Sequence, residues 1–259
     1  MPLAIVYLWI FFLGACIGSF LNVCIYRIPA GLSIVSPPSR CPQCETKIRW
    51  WQNIPIVSWL FLRGKCATCK EKISVRYLLV ETLTGLLFLK IFTMFALHPA
   101  TLVFWVFAGA LVTLTFIDLD HQIIPDVISL PGIILGFATV SLTPTTGWSD
   151  SILGILLGGG SLWLIAITYE FLTKNEGMGG GDIKLLAMIG AFLGWKAILP
   201  IIFISSCLGT LVGVPLMLRQ GANGKLAIPF GPFLSAAALI WFFWGELLLR
   251  WYLGFFRYG

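Results

Sequence analysis

Asp118 and Asp182 each lie at the edge of a long apolar run. VFAGALVTLTFID ends in Asp118, and GMGGGDIKLLAMIGAF contains Asp182. An ionisable group at membrane depth is costly, so one found there marks a functional site by default. Two carboxylates at one membrane face suit aspartyl chemistry. Close like charges do not both ionise easily, so one keeps its proton. The ionised acid can take a proton from water while the protonated acid hydrogen-bonds a scissile carbonyl, and the pair titrates as a unit. The same two residues could instead serve as an ion or proton relay in a transporter. Among their neighbours, Asp120 and His121 read as solvated loop residues. Asp126, after Pro125, reads as a helix cap, and Lys184 as a contact for phospholipid headgroups. The glycines of GMGGGD allow close approach of another chain segment. Their spacing is not GxGxxG and no strand precedes them, which argues against a dinucleotide site.

Four cysteines form the second group. Cys41-Pro-Gln-Cys44 and Cys66-Ala-Thr-Cys69 make CxxC-x21-CxxC. Two such knuckles can place four thiolates around a structural zinc, and a shell filled by four thiolates leaves no open position for catalysis. Lys47, Lys65 and Lys70 would favour the thiolate forms. The alternatives are two disulfides or a redox CxxC; a reducing cytoplasm disfavours the disulfides. Between the knuckles, Trp50, Trp51 and Trp59 suit either a layer on the headgroups or a small core under the metal. Cys16, Cys24 and Cys207 lie in apolar runs and read as buried small residues.

Helices must position these groups. Of 259 residues, 58% are hydrophobic and 11% charged, against about 25% charged in an ordinary soluble domain. Mean hydropathy is +0.94. The predicted fold is an all-α polytopic membrane protein of about eight transmembrane helices, with a small zinc-binding cytoplasmic domain inserted after helix one. The spans are read near Leu3–Tyr26, Tyr77–Leu97, Ala100–Ile117, Val127–Thr143, Ser151–Leu172, Ile183–Leu193, Ala197–Leu218 and Ile228–Leu249. The chain thus divides into residues 1–26, the first span; 27–76, the zinc domain; and 77–259, a seven-helix membrane domain. LGAC before Ile17 resembles a lipoprotein box, but no Lys or Arg precedes Arg27. Span one is therefore expected to be retained.

Charge gives the orientation. Nine of the 17 Lys and Arg fall between Arg27 and Arg76, beside only two acids, Glu45 and Glu71. A short, basic loop is expected in the cytoplasm. Alternation of the spans from there puts Asp118 and Asp182 at the same, cytoplasmic, face. The net charge of +6 is explained by this loop asymmetry, so no nucleic-acid partner is expected.

The ordered motifs resemble those of the type IV prepilin leader peptidases across nearly the whole chain. GSFLNVCIYRIP (Gly18–Pro29) resembles the opening motif of that family. CPQC, IPIVSWLFLRGKCATC and ISVRYLLVETLTG (Ile73–Gly85) resemble its cytoplasmic domain. IDLDHQIIPD and GMGGGDIKLLAMIGAFLGW resemble its two aspartate motifs, the second of the GxGD type, and FGPFLSAAA (Phe230–Ala238) its last span. The resemblance implies an intramembrane aspartyl protease of the bacterial inner membrane. It would remove the basic leader of type IV prepilins and type II secretion pseudopilins after a glycine. It implies Asp118 and Asp182 as the catalytic pair, with Asp120 and Asp126 in the same motif but not the same role. It further implies N-methylation of the new amine with S-adenosylmethionine, with Gly64 tied to that step and Cys41, Cys44, Cys66 and Cys69 holding zinc. A basic leader calls for acids near the site, and Asp120, Asp126 and Glu176 are the expected receivers. The proton- or ion-coupled transporter stays the alternative reading.

Overall fold

The computed structural model describes residues 3–41, 43–174, 179–220 and 228–257. Among these residues the protein is helical, and its only β-pairing is two isolated bridges, Arg40 with Lys47 and Lys65 with Lys72. Nine α-helices follow in order: α1 (Leu3–Arg27), α2 (Val57–Phe61), α3 (Val75–Phe95), α4 (Ala100–His121), α5 (Asp126–Ala138), α6 (Trp148–Thr173), α7 (Gly180–Leu193), α8 (Ile198–Gln220) and α9 (Gly231–Arg257). Six of the apolar stretches are long enough to cross a bilayer: α1, α3, α4, α6, Trp195–Leu218 and the Gly231–Tyr252 part of α9. The eight expected spans all have helical counterparts, but two are short. α5 has 13 residues and ends in a 3-10 turn at Val140–Leu142, and α7 has 14. At 1.5 Å per residue α7 is about 21 Å long, short of the ~30 Å hydrocarbon core.

The chain forms two compact units, Met1–Thr113 and Leu114–Gly259, with the division inside α4. This cut differs from a division at residues 26 and 76, because α1 and α3 pack on each other and residues 28–74 are looped out between them. In the first unit the α1–α3 seam is built on glycine. A methyl group at Gly14 would come to 2.8 Å from the Phe88 Cβ, and one at Gly18 to 2.8 Å from the Glu81 Cα. Small residues at a four-residue spacing let helix backbones touch in a bilayer, where dispersion replaces the hydrophobic drive. Polar bonds complete the seam: the buried Asn22 side chain donates to the Tyr77 carbonyl at 3.2 Å.

In the second unit α7 is the central element. From Leu185 to Phe192 every residue is buried, by packing against α5, α6 and α9. A helix too short to span survives in a membrane when protein, not lipid, surrounds its ends. Its last carbonyls have no partner within the helix, and two hydroxyls supply them. Ser151 Oγ donates to Ala191 at 2.8 Å and Thr146 Oγ1 to Phe192 at 2.9 Å. Gly194, at φ +76°, ends the helix. A methyl group at Gly154 of α6 would land on the Gly190 carbonyl of α7.

Candidate active site

Asp118 stands in the last turn of α4 and Asp182 in the first turn of α7. Both belong to the second unit, and both line one cavity of about 370 Å³. Its wall is completed by the 122–126 segment, Gly179–Gly181 and Lys184. Asp118 is 5% exposed, and Asp182 is half-buried. The Asp118 charge acts on Asp182, so the two carboxyls are electrostatically coupled. Two acids from helices remote along the chain thus share one recess.

The glycine run before Asp182 has a steric cause. A methyl group at Gly181 would come to 2.9 Å from the Ile124 Cβ, so only glycine lets the start of α7 close on the loop after Asp118. A third element reaches the pair. The backbone N–H of Gly231, first residue of α9, donates to Asp118 Oδ2 at 3.0 Å. A methyl group there would lie 2.7 Å from that oxygen. In the sequence only the glycine–proline pair of FGPF, at a helix start, hints at this link to the acids.

Asp126 and Lys184 also meet at this cavity. Lys184 Nζ donates to both carboxylate oxygens of Asp126, at 2.7 and 2.9 Å. This corrects the expectation that Asp126 caps α5. Lys184 is engaged by the Asp126 carboxylate, and the N-cap of α5 is Pro125 without a side-chain cap. Asp120 is exposed and is not among the cavity-lining residues. Glu176 lies outside the described residues.

The cysteine quartet assembles in the first unit. The four Sγ atoms lie within 4.8 Å of one another, with Cys41–Cys69 at 3.8 Å and Cys44–Cys66 at 4.0 Å. A tetrahedron with Zn–S bonds of about 2.3 Å has S···S edges of about 3.8 Å, so the set fits zinc. Each knuckle closes alike: Glu45 N–H donates to the Cys41 carbonyl at 2.9 Å, and Lys70 N–H to the Cys66 carbonyl at 3.1 Å. Glu45 and Lys70 both take positive φ, 54° and 61°. Thr46, through its side chain and its backbone, pulls the Cys44 thiol down to about 6, toward the form a metal needs. The Lys70 ammonium turns to the Ala67 carbonyl instead, at 3.2 Å.

Gly64 has a conformational role. It sits at φ +63° after α2, and a methyl group there would come to 2.7 Å from the Trp59 ring. Its carbonyl accepts Ile73 N–H at 2.7 Å. Trp59 is half-buried under Gly64 and donates from its ring N–H to the Ile73 carbonyl at 3.4 Å, while Trp50 and Trp51 are exposed.

Residues 12–95 match the family described as Bacterial Peptidase A24 N-terminal domain, and residues 105–214 match the Type IV leader peptidase family. Among curated relatives, a prepilin leader peptidase/N-methyltransferase of Stutzerimonas stutzeri is 37% identical over 99% of this chain and 96% of its own length. One from Neisseria gonorrhoeae is 39% identical over 89% of this chain and 87% of its own. One from Myxococcus xanthus is 42% identical over 86% of this chain and 66% of its own. No solved structure matches. The two matched regions and the near full-length likeness place the chain in the type IV leader peptidase family.

Proposed function

We propose that this protein cleaves the basic leader from type IV prepilins and pseudopilins at the cytoplasmic boundary of the bacterial inner membrane, and then N-methylates the new amino terminus. The observation that carries the peptidase half is the shared recess of Asp118 and Asp182. A substrate with a basic leader and an apolar helix can lie beside the spans, with its scissile bond level with that recess. One carboxyl, ionised, takes a proton from water as the oxygen attacks the carbonyl carbon. The other, protonated, hydrogen-bonds the carbonyl oxygen and then passes its proton to the leaving amine as the C–N bond breaks. Asp118 Oδ2 accepts the Gly231 N–H, which orients that carboxyl in either of the two roles. The family's relatives, named for both activities, favour the methyl transfer; S-adenosylmethionine, when bound, supplies an electrophilic methyl group to that amine. Zinc in the Cys41, Cys44, Cys66 and Cys69 shell is structural, because four thiolates close it. Nothing in the relatives' names favours a transporter.

The test is mass spectrometry of a precursor's N-terminus after incubation with purified protein. Asp118→Asn and Asp182→Asn are each expected to reduce leader release below detection. Normal release in either variant overturns the peptidase assignment. An unmethylated product from the wild type, with S-adenosylmethionine present, overturns the second half.

A further inference from the structure

A second cavity of about 370 Å³ lies wholly within the first unit. One side is the C-terminal half of α1, with Cys16, Ser19, Phe20, Val23 and Arg27. The other is built by loop residues 34–39 and by Asn53 and Pro55. Its volume falls within the range of small-molecule sites, which combine apolar walls with a few placed polar groups. Neither the proteolytic acids nor the cysteines of the metal shell line it.

The walls are held in place. Arg27 donates to the Ser33 carbonyl at 2.8 Å and to the Pro37 carbonyl at 2.7 Å. A guanidinium carries five N–H donors, so three remain once these bonds are made. Pro55 lines the cavity, and the next residue, Ile56, donates its N–H to Glu81 Oε2 at 2.7 Å. Ile56 adopts φ +62°, an uncommon conformation for a β-branched residue. Glu81 is 7% exposed in α3, and neither the peptidase chemistry nor the zinc shell uses it.

We infer that this cavity is the site of the methyl donor, a sulfonium-bearing adenosyl amino acid; the inference rests on the methyl-transfer half of the proposed function. The donor's carboxylate, ribose and adenine each find a group on the cavity wall. Its carboxylate suits the remaining N–H donors of Arg27. Its ribose suits the Ser39 hydroxyl and the Asn53 amide, and its adenine suits Phe20 and the proline wall. Glu81 does not line the cavity; bound to the N–H of Ile56, the residue after Pro55, its carboxylate complements the sulfonium charge from outside the wall. This complementarity predicts discrimination: the donor is a cation at sulfur, whereas its product S-adenosylhomocysteine is not.

The experiment uses the full-length protein in detergent micelles with tritiated S-adenosylmethionine and unlabelled S-adenosylhomocysteine. Photo-crosslinked label is expected on peptides covering residues 16–39 or 53–55. Asn53→Leu is expected to weaken both compounds at least tenfold with zinc content unchanged. Glu81→Gln keeps an acceptor for Ile56 and is expected to weaken the sulfonium compound about tenfold while leaving the thioether unchanged. Label mapped elsewhere in the chain overturns the site, whether or not the variants fold. Label displaced equally by anionic phospholipid makes the cavity a headgroup site and also overturns it. Absence of any binding to the wild type removes the methyl-transfer reading together with the site; binding that persists unchanged in Asn53→Leu removes the site alone.

Discussion

Asp118 Oδ2 accepts the backbone N–H of Gly231 at 3.0 Å, across 113 positions of sequence. The start of α9 therefore orients one of the two acids, and the last helix is part of the site. This contact also explains why residue 231 is glycine: an added methyl would come to 2.7 Å from the same oxygen.

Gly231→Ala is accordingly expected to displace the Asp118 carboxylate. A hydrogen bond to a charged group contributes about 1.5–3 kcal/mol, so leader release should fall roughly ten- to a hundredfold. Initial rates on a synthetic precursor provide the check, and a rate within twofold of wild type would show that the contact does not position the acid.

The Lys184–Asp126 pair ties the first turn of α5 to the N-terminal half of α7. Its side chains are 39% and 56% exposed, so its contribution to stability is small, about 0.5–1 kcal/mol. Its expected effect is on geometry near Asp182. Lys184→Met should lower kcat for leader release several-fold while moving thermal unfolding only slightly. The reversed pair, Lys184→Asp with Asp126→Lys, should recover part of the rate. Equal loss of rate in the single and reversed variants would sink the positioning role.

Removal of one zinc ligand should be felt locally. Cys41→Ser or Cys66→Ser leaves three thiols, and metal content is expected to fall from about one equivalent to under half. Structural zinc contributes folding energy directly, so residues 28–74 should become sensitive to protease. Metal analysis and limited proteolysis report the two effects, and a wild-type protein that purifies without zinc would contradict the assignment.

Gly64→Ile is expected to abolish methylation through the shape of the turn after α2. Isoleucine is poorly tolerated at φ +63°, and its Cβ would meet the Trp59 ring. Trp59 emission should therefore shift in parallel with the loss. Methylation lost while the emission stays fixed would instead point to direct contact of residue 64 with a reactant.

Much of this was legible in order and spacing. The CxxC pair with its intervening span pointed to the four-thiol cluster, since local turns bring each pair of thiols together. Eight apolar runs fixed eight helices. The two acids stood out because carboxylates are rare beside such runs. The pairing of Lys184 with Asp126 was hidden by a separation of 58 residues, and so was the role of Gly231. Glu81 was equally obscure: no residue near it in sequence is its partner, and the N–H it accepts belongs to a loop 25 positions earlier.

The amino-acid sequence by itself determined the class of protein, the helices and the chemistry of the side chains, because bilayer cost and metal valence act on composition and local spacing. Tertiary structure alone decided which groups face one another. Close approach of α6 to α7 at Gly154 and Gly190, and the hydroxyl caps from Ser151 and Thr146, allow a 14-residue helix to stay buried with Asp182 at its start. Those contacts depend on distance in space between helices that are remote along the chain, and linear spacing carries no record of that distance.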